Sequence, residues 1–186
     1  GFFEKDTMFD VIIIGLGPAG STLARLLSGK KVLCVDKKTS VPGGFEKPCG
    51  GLLAPDAQKA LARFELTLPK SVLVDPQLFS VRTLDLASGL TRHYQRFYVN
   101  MDRNKFDRWL ISLIPPQVER LEGARVTKLA RQADGTFAVT ICQDGRERTE
   151  YAKRLVGADG ADSLVRRTFF PKHQVRWYVA VQQWFK

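Results

Sequence analysis

Histidine is nearly absent: His93 and His173 are the only two in 186 residues, and they stand far apart. Cysteine is scarce too. Cys34, Cys49 and Cys142 are odd in number and lack the spacing of a metal-ligand set. Both shortages argue against a zinc site and against a disulfide framework, and they fit a reducing compartment. No metal ligand is expected. No apolar run approaches the ~20 residues of a membrane span. The segment from Phe9 to Gly17 imitates the apolar centre of a secretory signal, but Glu4, Asp6 and Asp10 stand where such a signal needs positive charge. Acidic residues are outnumbered, 19 against 29 Lys and Arg, for a formal charge of +10. Such a surface attracts nucleotides, acidic lipid or nucleic acid. The basic residues are scattered and no recognition motif accompanies them, so nucleic acid is not expected as a partner.

What is present is ordinary for a globular chain: 44% apolar and 26% charged residues. The length suits one domain with its own core and part of a second. A cytoplasmic protein is expected, with peripheral contact at the inner face of the membrane left open. Residues 1–7 read as a leader or tag-like stretch.

Phe9 to Ile14 is a short β-branched run, as in a strand buried on both faces. A helix is expected to start near Pro18, to bury Leu23, Ala24, Leu26 and Leu27, and to end at Gly29. Lys31 to Asp36 reads as a second buried strand. Residues 37–54 read as a loop, and Pro55 to Phe64 as a helix. Phe79 to Leu86 and Leu90 to Val99 read as two strands. Asp102 to Ile114 is an amphipathic helix with Phe106, Trp109, Leu110 and Leu113 at helical spacing. Strands follow at about 124–132 and 136–143, then a tight Asp144-Gly145 turn. Another strand runs into Gly157-Ala158-Asp159-Gly160, and Val175 to Phe185 reads as one more. The mixture indicates an α/β fold: a parallel sheet with an inserted antiparallel meander.

Gly15-Leu16-Gly17-Pro18-Ala19-Gly20 fits G-x-G-x-x-G between a strand and a helix. The hexapeptide alone is weak, but its context is that of a dinucleotide site. Gly15 permits the tight turn, Gly17 lets a diphosphate approach the backbone, and Gly20 lets helix and strand pack closely. The helix N-terminus, with Pro18 and Ala19 in its first turn, offers N–H groups and a partial positive charge. Asp36 closes the second strand, where a carboxylate accepts hydrogen bonds from an adenosine ribose. Lys37 beside it is included among the cofactor contacts. An acidic residue here favours an unphosphorylated ribose, hence NAD or FAD, which the fingerprint does not separate.

The run from Gly157 to Arg167 resembles the second FAD motif of the aromatic-hydroxylase and geranylgeranyl-reductase flavoproteins. Lys47-Pro48-Cys49-Gly50-Gly51-Leu52-Leu53 resembles the Pro-Cys-Gly-Gly loop of the geranylgeranyl reductase branch, in particular its CbrA-like members. The resemblance covers nearly the whole chain. It implies a Rossmann-like, glutathione-reductase-like FAD-binding domain over residues 8–186, with the start of a substrate-domain sheet at about 71–100 and 175–186. The family pattern continues past this sequence, with a further Gly-Asp motif and most of a substrate domain, so a truncated chain, inactive alone, is expected.

The same resemblance implies roles for single residues. Asp159 meets a ribose or ribityl hydroxyl or a bridging water; capping of a short helix from Ala161 is an equally physical role, and both can hold together. Arg103, at the start of the amphipathic helix, lies against the cofactor; the alternative is a solvated arginine. The backbone at Val126 meets the adenine, while its side chain is core. Cys49 lies near the flavin ring with Gly50 and Gly51, as a substrate contact, a flavin-tuning group or a proton donor; the alternative is a small buried residue. Lys47 reads as a solvated loop lysine. The implied cofactor is FAD, and the implied reaction is hydride transfer to carbon–carbon double bonds of an isoprenoid or related lipid, with a nicotinamide or protein electron donor. An FAD-dependent monooxygenase of an aromatic substrate and a non-catalytic nucleotide-binding module remain as alternatives.

Overall fold

The structure is a computed structural model that describes residues 8–27, 29–39, 47–173 and 175–183. Residues 1–7, with the leader reading and the charges of Glu4 and Asp6, lie outside it, as does part of the expected 37–54 loop. The chain divides into two compact units. One comprises the described residues of Gly1–Glu46 and Asp107–Val179, the other those of Lys47–Phe106 and Ala180–Lys186.

The first unit is built on β1 (Phe9–Ile14), α1 (Pro18–Leu26) and β2 (Val32–Asp36). Strands β1 and β2 are parallel, with Val11 opposite Val32 and Ile14 opposite Val35. Side chains alternate along a strand, so Ile12, Ile14, Leu33 and Val35 face one way and Val11, Ile13, Val32 and Cys34 the other. Both sets are buried. The first packs with Val139, Ile141, Ala152 and Val165, the second with Leu16, Ala24, Ile114 and Val118. A sheet covered on both faces has no use for polar residues, which is why these strands are unbroken apolar runs.

The second unit follows in the chain. It holds a two-stranded ladder of β3 (Leu52–Leu53) with β6 (Val99–Asn100), the helix α2 (Pro55–Arg63), and a hairpin of β4 (Ser80–Asp85) with β5 (Leu90–Gln95). Every residue of β4 and β5 is exposed. The helix α3 (Arg103–Ser112) is divided between the units. It leads in the first unit to β7 (Glu119–Glu122), β8 (Arg125–Arg131), β9 (Phe137–Gln143), β10 (Arg146–Gly157) and α4 (Leu164–Phe169).

The six strands of the first unit lie in the order β7-β2-β1-β10-β9-β8. Three junctions are parallel: β7 on β2, β2 on β1 and β1 on β10. The β8-β9-β10 meander is antiparallel. Asp144 and Gly145 both have positive φ, +51° and +74°, the geometry of the two-residue turn that matches strand twist. The α/β class, parallel sheet and meander are as expected from the sequence.

Several expectations need correction. Leu26 does not join the buried face of α1 and is 56% exposed. Gly20, Ser21 and Ala24 are the buried residues of the helix, with Leu23 and Leu27 half-buried against the same cluster, whereas Leu26, two residues from Ala24, falls on the opposite side of the helix. The helix ends at Leu27 in a right-handed conformation with a bond from its N–H to Leu23 O, so Gly29 is not its cap. The strand expected from Leu90 to Val99 is two strands with different partners. Leu52–Leu53, expected within a loop, pairs with β6. β7 was not expected. Residues 175–183, expected as strand, have no regular structure; a strand exists only as one side of a ladder, and none of the described strands pairs with them. Residues 184–186 lie outside the described chain.

Burial of Cys34 between these layers pushes its thiol up to about 12 from 9.0. Between those values the unfolded chain has lost this proton while the folded chain holds it, so stability falls as pH rises through that window. Titration of native protein with a thiol reagent at pH 8 is expected to spare Cys34 and to reach it only on unfolding. Modification of Cys34 at the rate of a free thiol would refute its sealed position.

Candidate dinucleotide site

Three backbone segments meet at the carboxyl ends of β1, β2 and β10. Gly15 N–H donates to Val35 O at 2.8 Å and Ala158 N–H donates to Ile14 O at 2.7 Å. The turn is thus sewn to both neighbours of β1. Gly15 has φ +97°, and a Cβ on it would lie 2.4 Å from Ala158 O. A Cβ on Gly20 would lie 1.8 Å from Gly15 O. No side chain fits at either position: the packing of strand, turn and helix demands glycine.

Gly17 differs. Its φ is −67°, which any residue adopts, and a Cβ built on it meets no atom within 4 Å. Neither packing nor backbone conformation requires a glycine there. It caps α1, and no side chain caps that helix end. Pro18 supplies no N–H, and the first turn carries no acidic residue. Ser21, missed in the sequence reading, is buried and donates its hydroxyl to Gly17 O at 2.8 Å. Thr22 Oγ1 donates to Pro18 O at 2.6 Å. The first-turn N–H groups have no acceptor one turn back, so an open, electropositive, uncapped edge faces the space beside Gly17.

Asp36 reaches this turn. Leu16 N–H donates to Asp36 Oδ2 at 2.5 Å, and Lys38 N–H to Oδ1 at 2.9 Å. Lys37 is exposed between them. Gly123 N–H donates to Lys38 O and Ala124 N–H to Asp36 O, each at 3.0 Å. These bonds seat the start of β8, and Val126 with it, beside the end of β2. Val126 packs against the core cluster, and the ladder register shifts between it and Lys128.

Asp159 stands next to Ala158. Its Oδ2 accepts from Leu164 N at 2.7 Å and from Val165 N at 3.3 Å. It therefore caps α4, which begins at Leu164 rather than at Ala161, with Ser163 Oγ accepting from Arg166 N at 3.0 Å. The second oxygen, Oδ1, is buried without a hydrogen-bond partner. A buried unpaired carboxylate oxygen is costly and is suited to a donor from a bound hydroxyl or a water. Gly157 was read only as part of the motif, but a Cβ on it would lie 2.7 Å from Val165 Cβ, so it lets α4 close on the strand.

The structure therefore brings Gly15, Gly17, Pro18, Ala19, Gly20, Asp36, Asp159 and the start of β8 to one end of one sheet. Cys49, Gly50, Gly51 and Arg103 belong to the second unit. There Gly51 N–H donates to Cys49 Sγ at 3.5 Å. Gly51 has φ +71° and a Cβ on it would strike Met101 O at 2.3 Å, so packing against the residue that follows β6 requires it, whereas Gly50 is open. Lys47 is exposed. Arg103 is the first residue of α3, whose N-terminus is capped by Asp102 Oδ1 accepting from Asn104 N and Lys105 N, each at 2.9 Å. Among the described residues no cluster of His, Cys, Asp and Glu is placed to hold a metal, and no helix is long and apolar enough to cross a membrane.

No family model matches the chain. It is 55% identical over 179 residues to Protein CbrA of Escherichia coli K12, a match covering 95% of this chain and 50% of that protein. The chain spans about half the length of the curated relatives it matches. It superposes on a geranylgeranyl bacteriochlorophyll reductase-like protein from Thermoplasma acidophilum with a TM-score of 0.69, at 21% identity, over 82% of this chain and 39% of that one. PqsL of Pseudomonas aeruginosa, a probable FAD-dependent monooxygenase, gives a TM-score of 0.68 at 23% identity over 92% and 48%. The fold is the Rossmann-like FAD-binding fold. Aklavinone-11 hydroxylase, solved with FAD and aklavinone, shares it with a TM-score of 0.67 at 20% identity, over 86% of this chain and 34% of that one.

The two kinds of glycine separate experimentally. Gly20→Ala is expected to cost ~1–3 kcal/mol of unfolding free energy through overpacking. Gly17→Ala is expected to cost less, about 1 kcal/mol or under, since alanine is only a poorer N-cap than glycine. Urea unfolding checks both; equal losses would mean that Gly17 is a packing glycine after all.

Proposed function

We propose that the chain is the FAD-binding half of a CbrA-type flavoprotein in the geranylgeranyl reductase family, reducing carbon–carbon double bonds of an isoprenoid or related lipid. The observation that carries the nucleotide part is Gly17, a glycine that neither backbone conformation nor packing requires, at an uncapped helix start. A group approaching there would fill the space that a Cβ takes. The N–H groups of the first turn of α1 hold the diphosphate, the carboxylate of Asp36 accepts from the adenosine ribose, and the backbone at Val126 borders the adenine. Lys37 sits at the outer rim. The unpaired Oδ1 of Asp159 accepts from a sugar or ribityl hydroxyl. Arg103 adds a cation towards the phosphates.

Bound FAD supplies two-electron transfer, while the protein binds, orients and tunes it. Cys49, with Gly50 and Gly51, lies beside the reacting end in this reading, where its thiol orients substrate or gives up a proton. A nicotinamide or a protein partner supplies the electrons. The 55% identity to Protein CbrA supports the CbrA-type assignment, and the resemblance of the Cys49 loop to the reductase branch is what favours reduction over hydroxylation. The β4–β5 hairpin and residues 175–183 are read as the start of a substrate-side domain, which the greater length of the relatives supports. The basic surface favours approach to anionic lipid headgroups at the inner membrane face.

Denaturing the full-length protein and weighing the released ligand is expected to give FAD; release of NAD with no flavin uptake on reconstitution would overturn the proposal. Gly17→Ala is expected to weaken FAD binding about tenfold or more, roughly 1.4 kcal/mol, with the fold intact. Cys49→Ser and Cys49→Ala are expected to retain FAD but to slow double-bond reduction or change its product pattern. Wild-type rates and products in both would remove Cys49 from the site. Oxygen uptake coupled to oxidation of an aromatic substrate would favour the hydroxylase instead.

A further inference from the structure

We infer that Asp36 is a positioning residue for the anion-binding turn, acting through Leu16, in addition to meeting a ribose. This rests on the dinucleotide reading of the Gly15–Gly20 turn. The geometry begins at Leu16, whose side chain is only 1% exposed and belongs to the core. The chain around such a residue is shielded from water, and an N–H there needs a protein partner. The carboxylate of Asp36 supplies it at 2.5 Å.

The carboxylate is itself held on the other side. Oδ1 accepts from Lys38 N at 2.9 Å, and the Asp36 carbonyl accepts from Ala124 N at 3.0 Å. The preceding turn N–H, that of Gly15, goes to Val35 O. Two successive N–H groups of the turn are thus drawn to the end of β2. The diphosphate is left with the groups from Gly17 onward, and Leu16 N–H does not belong to the cradle.

This arrangement carries an electrostatic penalty: a fixed negative charge stands one residue from the place where an anion is to bind. A carboxylate that served only the ribose would repel inorganic pyrophosphate, which has no ribose, and removing it would tighten pyrophosphate binding. A carboxylate that sets the turn does the opposite, because without it the N–H groups lose their alignment. The two roles therefore predict opposite signs for the same substitution.

The experiment uses the full-length protein and two variants. Asp36→Ala removes the acceptor; Asp36→Asn removes the charge but keeps an oxygen that accepts from Leu16 N–H. In the ligand-free protein, hydrogen exchange at the Leu16 amide is expected to rise at least tenfold in the Ala variant and to return towards the parent rate in the Asn variant. Pyrophosphate affinity, measured by calorimetry, is expected to fall about tenfold in Asp36→Ala, the scale of one lost hydrogen bond, and to be kept or increased in Asp36→Asn. Unchanged Leu16 exchange in the Ala variant, or pyrophosphate bound as tightly or more tightly by both variants, would overturn the positioning role. If Leu16 exchange responds as stated but the parent protein binds neither pyrophosphate nor FAD, the dinucleotide reading fails and the positioning of the turn stands.

Discussion

The crowding of Gly15, Gly20 and Ala158 governs the first unit. The carbonyl oxygens of Ala158 and Gly15 occupy the positions where a Cβ on Gly15 and on Gly20 would stand. Strand, turn, helix and the end of β10 are consequently as close as backbones come. The start of α1 is held by this contact, since a Cβ on Gly20 would meet both Gly15 O and the Cβ of Ala158. The small residues Gly20, Ser21 and Ala24 on its inner face follow from it as well. So does the position of Asp159, one residue beyond the point of contact. The polar edge at Gly17 is what the crowding leaves open.

The strongest features of the fold were legible because they depend on local pattern. The apolar runs of β1 and β2 answer to burial on both faces, and Asp144-Gly145 answers to a turn that needs two positive φ values. Other elements were not legible because their cause is non-local. β7 is Glu119-Arg120-Leu121-Glu122, with three charged residues among four. It is a strand because the edge of β2 offers it a ladder, and a sheet edge tolerates charge. The break between β5 and β6 is likewise a change of partner, and residue patterns within one strand do not encode partners. Residues 175–183 show the converse: an apolar, aromatic and β-branched run without a ladder to join.

The site divides in the same way. The motif spacing placed Gly15, Gly17, Gly20 and Asp36 together, and the structure adds that the glycines differ in kind, two serving packing and one leaving open space. The bond from Leu16 to Asp36 was not readable, because it depends on how the end of β2 turns back on β1. Asp159 was read with two roles, and its two oxygens stand in two situations, one capping α4 and one unpaired. Cys49 and Arg103 rest on resemblance, since a loop residue or a helix start acquires its role from what it faces.

Strand β10 changes partners along its length. From Arg146 to Ala152 it runs antiparallel to β9, and from Ala152 to Gly157 it runs parallel to β1. A single backbone is thus the ruler for two ladders, and its zero mark is the Asp144-Gly145 turn. A one-residue error at that turn would travel the whole strand, moving Ala158 and Asp159 by roughly 3.3 Å and turning their side chains to the other face. The placing of Ala158 and Asp159 beside the Gly15–Gly20 turn is therefore set in part at a solvent-exposed bend at the opposite end of β10.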